Sequence, residues 1–160
     1  MKDSESPIPT AVWLALFPLT YLIHFAEEFW GGEGYPAYIF RLRGVELSTS
    51  RFVTLELVGF ALLVIGVVLA HRLKFPKFMI VMLGGLVLAN GISHSATAIW
   101  DGHYGPGLIA SAFIWLPLGI VTLILMFRRT GPARFAVAAS IGFGIQAIVA
   151  LIALKSGRSG

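Results

Sequence analysis

The sequence predicts an all-α integral membrane protein, a bundle of five transmembrane helices. Three observations predict it. Of the 160 residues, 57% are hydrophobic and 12% charged, whereas soluble domains run to about 45–50% apolar and about 25% charged. Apolar stretches of the length needed to cross a bilayer, about 20 residues, recur five times. The Lys and Arg residues sit in short clusters between those stretches, as topology signals do.

The first helix is expected over Pro9 to Trp30. Met1 to Pro7 carries Asp3 and Glu5 beside Lys2, and the apolar run that follows has no small-residue cleavage site before its polar end. It therefore reads as a retained helix and not as a signal peptide. The second helix is expected over Arg51 to Ala70, the third over Phe78 to Trp100, the fourth over Gly107 to Phe127 and the fifth over Ala133 to Leu154. Pro18 and Pro117 fall inside helices and each frees a carbonyl one turn back, so kinks are expected there. Gly31, Gly32 and Gly34 stop the first helix. The aromatic run Tyr35-Pro36-Ala37-Tyr38-Ile39-Phe40 predicts an interfacial or re-entrant flap before the second. Ser48, Thr49 and Ser50 offer caps for the second helix. The other connections are short, so sequential helices are antiparallel neighbours. Gly84-Gly85 and Ser140, Gly142 and Gly144 read as helix-packing surfaces, and Ser156 to Gly160 as a tail without a motif. Residues 1–160 read as one polytopic domain with no internal repeat.

Basic residues orient the bundle. Lys2, Arg72, Lys74, Lys77, Arg128, Arg129 and Arg134 fall on one side, and Arg41, Arg43, Arg51, Lys155 and Arg158 on the other. The excess places the N-terminus in the cytoplasm and the C-terminus outside. The net charge of +4 is thus spent on membrane lipids. Nucleic acid is set aside as a partner, because no basic face is interleaved with exposed aromatics.

One stretch breaks the apolar pattern, His24-Phe25-Ala26-Glu27-Glu28. Ionisable residues inside a membrane segment are expensive unless partnered. On a helix, positions i, i+3 and i+4 share a side, so His24, Glu27 and Glu28 can face common partners. Antiparallel order brings those partners to the same end of the bundle. Glu56 lies just inside the second helix, Asn90 and His94 in the last turns of the third, and Asp101 and His103 directly after it. His24 is six residues before Trp30, and His94 six before Trp100. At about 1.5 Å per residue, both imidazoles lie roughly 9 Å inside an aromatic belt. The cluster belongs to the outer leaflet in the orientation above.

Imidazoles with carboxylates and no cysteine suit a divalent metal, zinc or iron first and manganese after them. His24, Glu28, His94 and His103 are the candidate ligands. Glu27 and Glu28 are the candidate catalytic carboxylates, one ligating while the other acts as general base. Glu56, Asn90 and Asp101 are placed to orient imidazoles or bound water. Arg41, Arg43 and Arg51 could hold an anionic headgroup. Metal-free carboxyl–imidazole pairing is the plainer alternative. His71 reads as a rim residue, and Trp13, Trp30, Trp100 and Trp115 as interface or packing residues.

The motif resembles that of a family of small bacterial membrane proteins named for its HXXEE pattern. The resemblance takes in Phe29-Trp30-Gly31-Gly32 through Tyr35-Pro36-Ala37, Asn90-Gly91-Ile92-Ser93-His94, and Tyr104-Gly105-Pro106-Gly107-Leu108. It implies a site at His24, Glu27, Glu28, Asn90 and His94, and brings no reaction with it. The functional expectation is a metal-dependent membrane hydrolase acting on a lipidic or amphipathic substrate. A di-iron oxidase ranks lower, since the helix-paired Glu-x-x-His set is incomplete. The non-enzymatic rivals are a metal- or proton-binding carrier or sensor and a structural subunit. A through-pathway would call for a homodimer, because the opposite half of the bundle is apolar.

Overall fold

The computed structural model describes residues 10–155. The expectations for Met1 to Pro9 and for Ser156 to Gly160 lie outside them. Among the described residues, five helices are long and apolar enough to cross a membrane. They are α1 (Thr10–Trp30), α3 (Thr49–Arg72), α4 (Pro76–Asp101), α5 (Leu108–Phe127) and α6 (Pro132–Lys155). The flap is a sixth, short helix, α2 (Tyr35–Arg43). The chain is an all-helical membrane protein.

Ends differ from expectation by one turn or less, for local reasons. α3 begins before Arg51 because Ser48 caps it, accepting the Arg51 N–H at 3.3 Å. Pro76 and Pro132 open α4 and α6, as the first turn of a helix tolerates a missing N–H. Gly44 and Gly102 close α2 and α4 in the left-handed conformation, at φ 66° and 70°. Pro117 acts through register rather than as a simple kink. Residues Ser111–Trp115 of α5 form a π-turn, in which Leu116 N–H reaches back to Ser111 O. The wider turn accommodates the backbone upstream of the proline.

α4 is the central helix and touches α1, α3, α5 and α6. Small residues permit this closeness. A Cβ on Gly84 would meet Thr122 of α5 at 2.7 Å, and one on Gly85 would meet the Ala139 carbonyl of α6 at 3.0 Å. Gly142 of α6 lies directly against the Met82 carbonyl. Gly144, by contrast, faces open space and Ser140 is exposed, so neither serves this packing. Trp13, Leu14 and Phe17 of α1 close the core with Ile80, Val81, Leu83 and Val87 of α4. Trp13 Nε1 donates to Thr122 Oγ1 at 3.1 Å, which satisfies its one polar atom. This core reaches the motif through Trp115, whose ring stacks on His24.

Candidate metal centre

The two outer members of the motif turn inward together. His24 and Glu28 are one turn apart on α1 and are only 2% and 5% exposed. His94 reaches them from α4. Glu28 Oε1 lies 3.5 Å from His24 Nε2 and 3.3 Å from His94 Nε2. The ligand atoms of the three side chains all fall within 4.8 Å of one another. The rings are fixed by aromatic contacts. His24 stacks on Trp115 at 3.9 Å and 25°, and stands edge-on to His94 at 4.9 Å and 89°.

These separations fit a shared cation. Zinc bonds to nitrogen and oxygen run about 2.0–2.2 Å, so two ligands of a tetrahedral ion stand about 3.3–3.6 Å apart. The Glu28–imidazole spacings fall at that edge length and beyond the usual 2.7–3.2 Å of an N–H···O bond. Both ring nitrogens of the buried His24 lack a hydrogen-bond partner in the protein, and buried polar atoms are seldom left so. A buried charge in a membrane helix is costly unless it is partnered. A cation shared by Glu28 and the two imidazoles would offset that cost. The donor set, two nitrogens and one carboxylate oxygen without sulfur, suits zinc, iron or manganese.

The loop before α5 closes the cluster. A Cβ at Gly107 would stand 2.8 Å from His24 Cε1, 2.9 Å from Glu28 Cγ and 2.9 Å from His94 Cε1. The backbone there, at φ 83°, is one that L side chains avoid. Gly107 therefore touches all three residues, and only glycine fits. Gly105 packs in the same way against the Tyr38 ring of α2, 2.9 Å from a notional Cβ. Tyr35 of α2 adds its ring 6.4 Å from that of His94 and stacks on Phe52 of α3. The flap is thus a cover over the histidine side of the site. Burial raises the Tyr35 hydroxyl above the ordinary tyrosine pKa, so it stands as a neutral donor.

Glu27 departs from the catalytic role expected of it. It turns away from the imidazoles to the start of α5. Its Oε1 accepts the Tyr104 hydroxyl at 2.7 Å and the Ile109 N–H at 2.8 Å, and its Oε2 accepts the Ala110 N–H at 2.6 Å. The first N–H groups of a helix have no partner within it and carry the positive end of its dipole. A carboxylate from α1 supplies both needs. Three donors occupy Glu27, which clamps the start of α5 to α1. Desolvation, then the bond to Glu27, push the Tyr104 hydroxyl up to about 12.

Other expected site residues are distributed more widely. Glu56 accepts the Tyr21 hydroxyl at 2.7 Å, so its partner is a tyrosine of α1 and not an imidazole. Asn90 lies one turn before His94, with its Oδ1 buried and unpartnered. Asp101 binds Arg41 through two bonds of 3.3 and 3.0 Å. It ties the flap to the end of α4 through Arg41. His103 stays outside the cluster, its side chain 75% exposed and its Nδ1 2.7 Å from the Asp101 carbonyl. Arg41 also bonds Glu33 at 2.8 Å, so its guanidinium is committed on two sides and its pKa raised, chiefly by the bond to Asp101. Arg43 and Arg51 stand exposed at the end of α2 and the start of α3.

Tyr104, Gly107 and Trp115 touch the motif residues, and residue types alone do not single them out. The block Tyr104 to Leu108 was the available signal for the first two. Trp115 read as a packing residue, and its stacking on His24 depends on the π-turn.

The model of a family described as proteins of unknown function with an HXXEE motif matches residues 15–122. That span holds His24, Glu27, Glu28, His94, Tyr104, Gly107 and Trp115, and ends within α5. No curated protein and no solved structure matches the chain.

Proposed function

We propose a metal-dependent hydrolytic function for this chain, which belongs to the HXXEE-motif family. His24, Glu28 and His94 would hold one divalent ion, zinc or iron, with a fourth position left to water or substrate. Such an ion polarises a carbonyl or phosphoryl oxygen and lowers the pKa of bound water. With Glu27 engaged at α5, Glu28 is the carboxylate that serves both as ligand and as proton acceptor. The observation that carries the reading is the spacing of Glu28 Oε1 from two Nε2 atoms, 3.5 and 3.3 Å.

The proposed substrate is lipidic or amphipathic. A groove of about 550 Å³ runs between α4 and α5, lined by Ser95, Ile99, Tyr104, Ile109 and Phe113. Ile99 and Phe113 are more than three-quarters exposed, as side chains facing acyl chains are. Tyr104 and Ile109 connect this groove to Glu27, next to Glu28. The positive-inside bias supports an N-terminus in the cytoplasm of a bacterium and a site in the outer leaflet of its cytoplasmic membrane. The non-enzymatic alternative is a metal or proton carrier or sensor.

Elemental analysis of the purified protein tests the metal. About one zinc or iron per chain is expected, lost in His24→Ala and in His94→Ala. Stoichiometric metal absent under several purification conditions would overturn the reading. Metal-dependent cleavage of ester or phosphoester lipids in mixed micelles then tests hydrolysis, whereas vectorial uptake of the ion into liposomes would favour the carrier.

A further inference from the structure

Several buried polar atoms on His24, on the α5 stretch that contacts it and on the turn of α4 before His94 have no partner in the protein. His24 Nδ1, Trp115 Nε1, Ser111 Oγ and Asn90 Oδ1 are all buried without a hydrogen bond from the protein. Ser111 is wholly buried and Trp115 is 2% exposed.

Two of them, on Ser111 and Trp115, belong to the stretch of α5 that packs on His24. Gly107, Ser111 and Trp115 follow one another down the inner side of α5. Gly107 touches His24, Glu28 and His94, and Trp115 stacks on His24. Ser111 lies between them and accepts the N–H of Leu116 at the π-turn through its carbonyl, which leaves its hydroxyl unengaged. Asn90 of α4 is one turn before His94, and its neighbour Gly91 packs against Leu116, the residue after Trp115. π-turns inside α-helices recur at functional sites.

The other buried tryptophan provides a contrast. Trp13 is 5% exposed and gives its Nε1–H to Thr122. Trp115 is as deep and has no such acceptor. Leaving one buried polar group unpaired costs about 1–3 kcal/mol, so four of them on neighbouring turns are unfavourable in a dry core. Ordered water commonly satisfies such groups, with about three bonds per molecule.

We propose that these atoms line a closed polar pocket which holds ordered water behind His24 and orients its imidazole through Nδ1. Metal-binding histidines almost always donate the other ring N–H to an acceptor, which selects the tautomer and ring plane. Here no carboxylate or carbonyl bonds Nδ1. Water held by Ser111 and Asn90 takes that place, and Nε2 is left to face Glu28 and His94. Ser111 and Asn90 are positioning residues in this scheme. The water pocket stands on the unpartnered atoms alone, and its orienting role rests on the metal reading above.

Radiolytic hydroxyl labelling with mass spectrometry, on the metal-free full chain in detergent, tests the pocket. Water beside a buried side chain makes it reactive. Trp115 is expected to be labelled and Trp13 not. Equal protection of the two tryptophans would overturn the pocket. Zinc affinity by chelator competition tests the role. Ser111→Ala and Asn90→Leu are expected to bind about 10–100-fold more weakly, with the Co²⁺ absorption spectrum shifted. Asn90→Asp, which keeps an acceptor, is expected to recover binding. Unchanged affinity and spectrum in both variants would overturn the orienting role. A wild-type chain that takes up no zinc removes the metal reading and the orienting role with it, while the labelling contrast still judges the pocket.

Discussion

Glu27 of α1 caps Ala110 of α5: its Oε2 accepts the Ala110 N–H at 2.6 Å. The two glutamates of the motif are adjacent in sequence and opposite in task. Glu28 points at two imidazoles, and Glu27 joins the helix that carries Gly107 and Trp115 to the helix that carries His24. One residue of separation is a turn of about 100° on a helix, which is enough to serve two neighbours.

Removing the Glu27 cap is expected to loosen the start of α5. Glu27→Ala leaves the Ile109 and Ala110 N–H groups without their acceptor, at about 1–3 kcal/mol for each group that stays buried. Glu27→Gln keeps one acceptor oxygen and gives up the charge at the helix terminus, which contributes about 0.3–1 kcal/mol. Thermal unfolding of the metal-free protein in detergent should therefore rank wild type above Gln and Gln above Ala. Equal melting points for Ala and wild type would contradict the clamp.

Gly107→Ala is expected to cost both stability and metal. The left-handed backbone alone penalises an L residue by about 1–2 kcal/mol. The added methyl also intrudes on His24, Glu28 and His94 together. Zinc affinity should fall at least about tenfold, matching the size of a displaced ligand-shell contact. Gly102→Ala is the control, since it has a left-handed φ of 70° and nothing within 4 Å of the new Cβ. It should lose stability but keep zinc.

Arg41 ties the flap to the end of α4 through Asp101 and to Glu33. Exposed ion pairs add little to global stability, so Arg41→Ala should leave the melting temperature nearly unchanged. Local opening is another matter. Amide hydrogen exchange across Tyr35–Arg43 should quicken in Arg41→Ala, and in wild type as salt is raised and the pair is screened. Exchange that ignores both changes would show that packing of Tyr38 and Ile39, both buried, holds the flap without the arginine.

Much of the fold was legible because a membrane restricts the choices. Hydrocarbon demands long apolar helices, and short loops demand antiparallel neighbours. The five spans and the gathering of polar residues at one end of the bundle follow from those two demands. The i, i+4 pairing of His24 with Glu28, and their approach to His94, follow from helix geometry and depth. Less legible were the partners set by rotation of each helix about its axis. Glu27 and Glu28 are the same residue type at the same depth, and nothing local says which meets an imidazole. Asp101 and His103 lie near the site in sequence, yet a flap arginine and exposure to solvent take them out of it.

The residues alone determined that this is a helical membrane protein with a costly polar cluster built around His24-Phe25-Ala26-Glu27-Glu28. Only the tertiary structure decided how that cluster divides. Glu28 and two histidines form a centre, Glu27 is a helix cap, Gly107 is the wall against the centre, and a π-turn brings Trp115 onto His24. The physical reason is one of range. Periodicity and hydropathy act along a helix, whereas a cap, a close glycine contact and a stacked ring depend on how two helices meet.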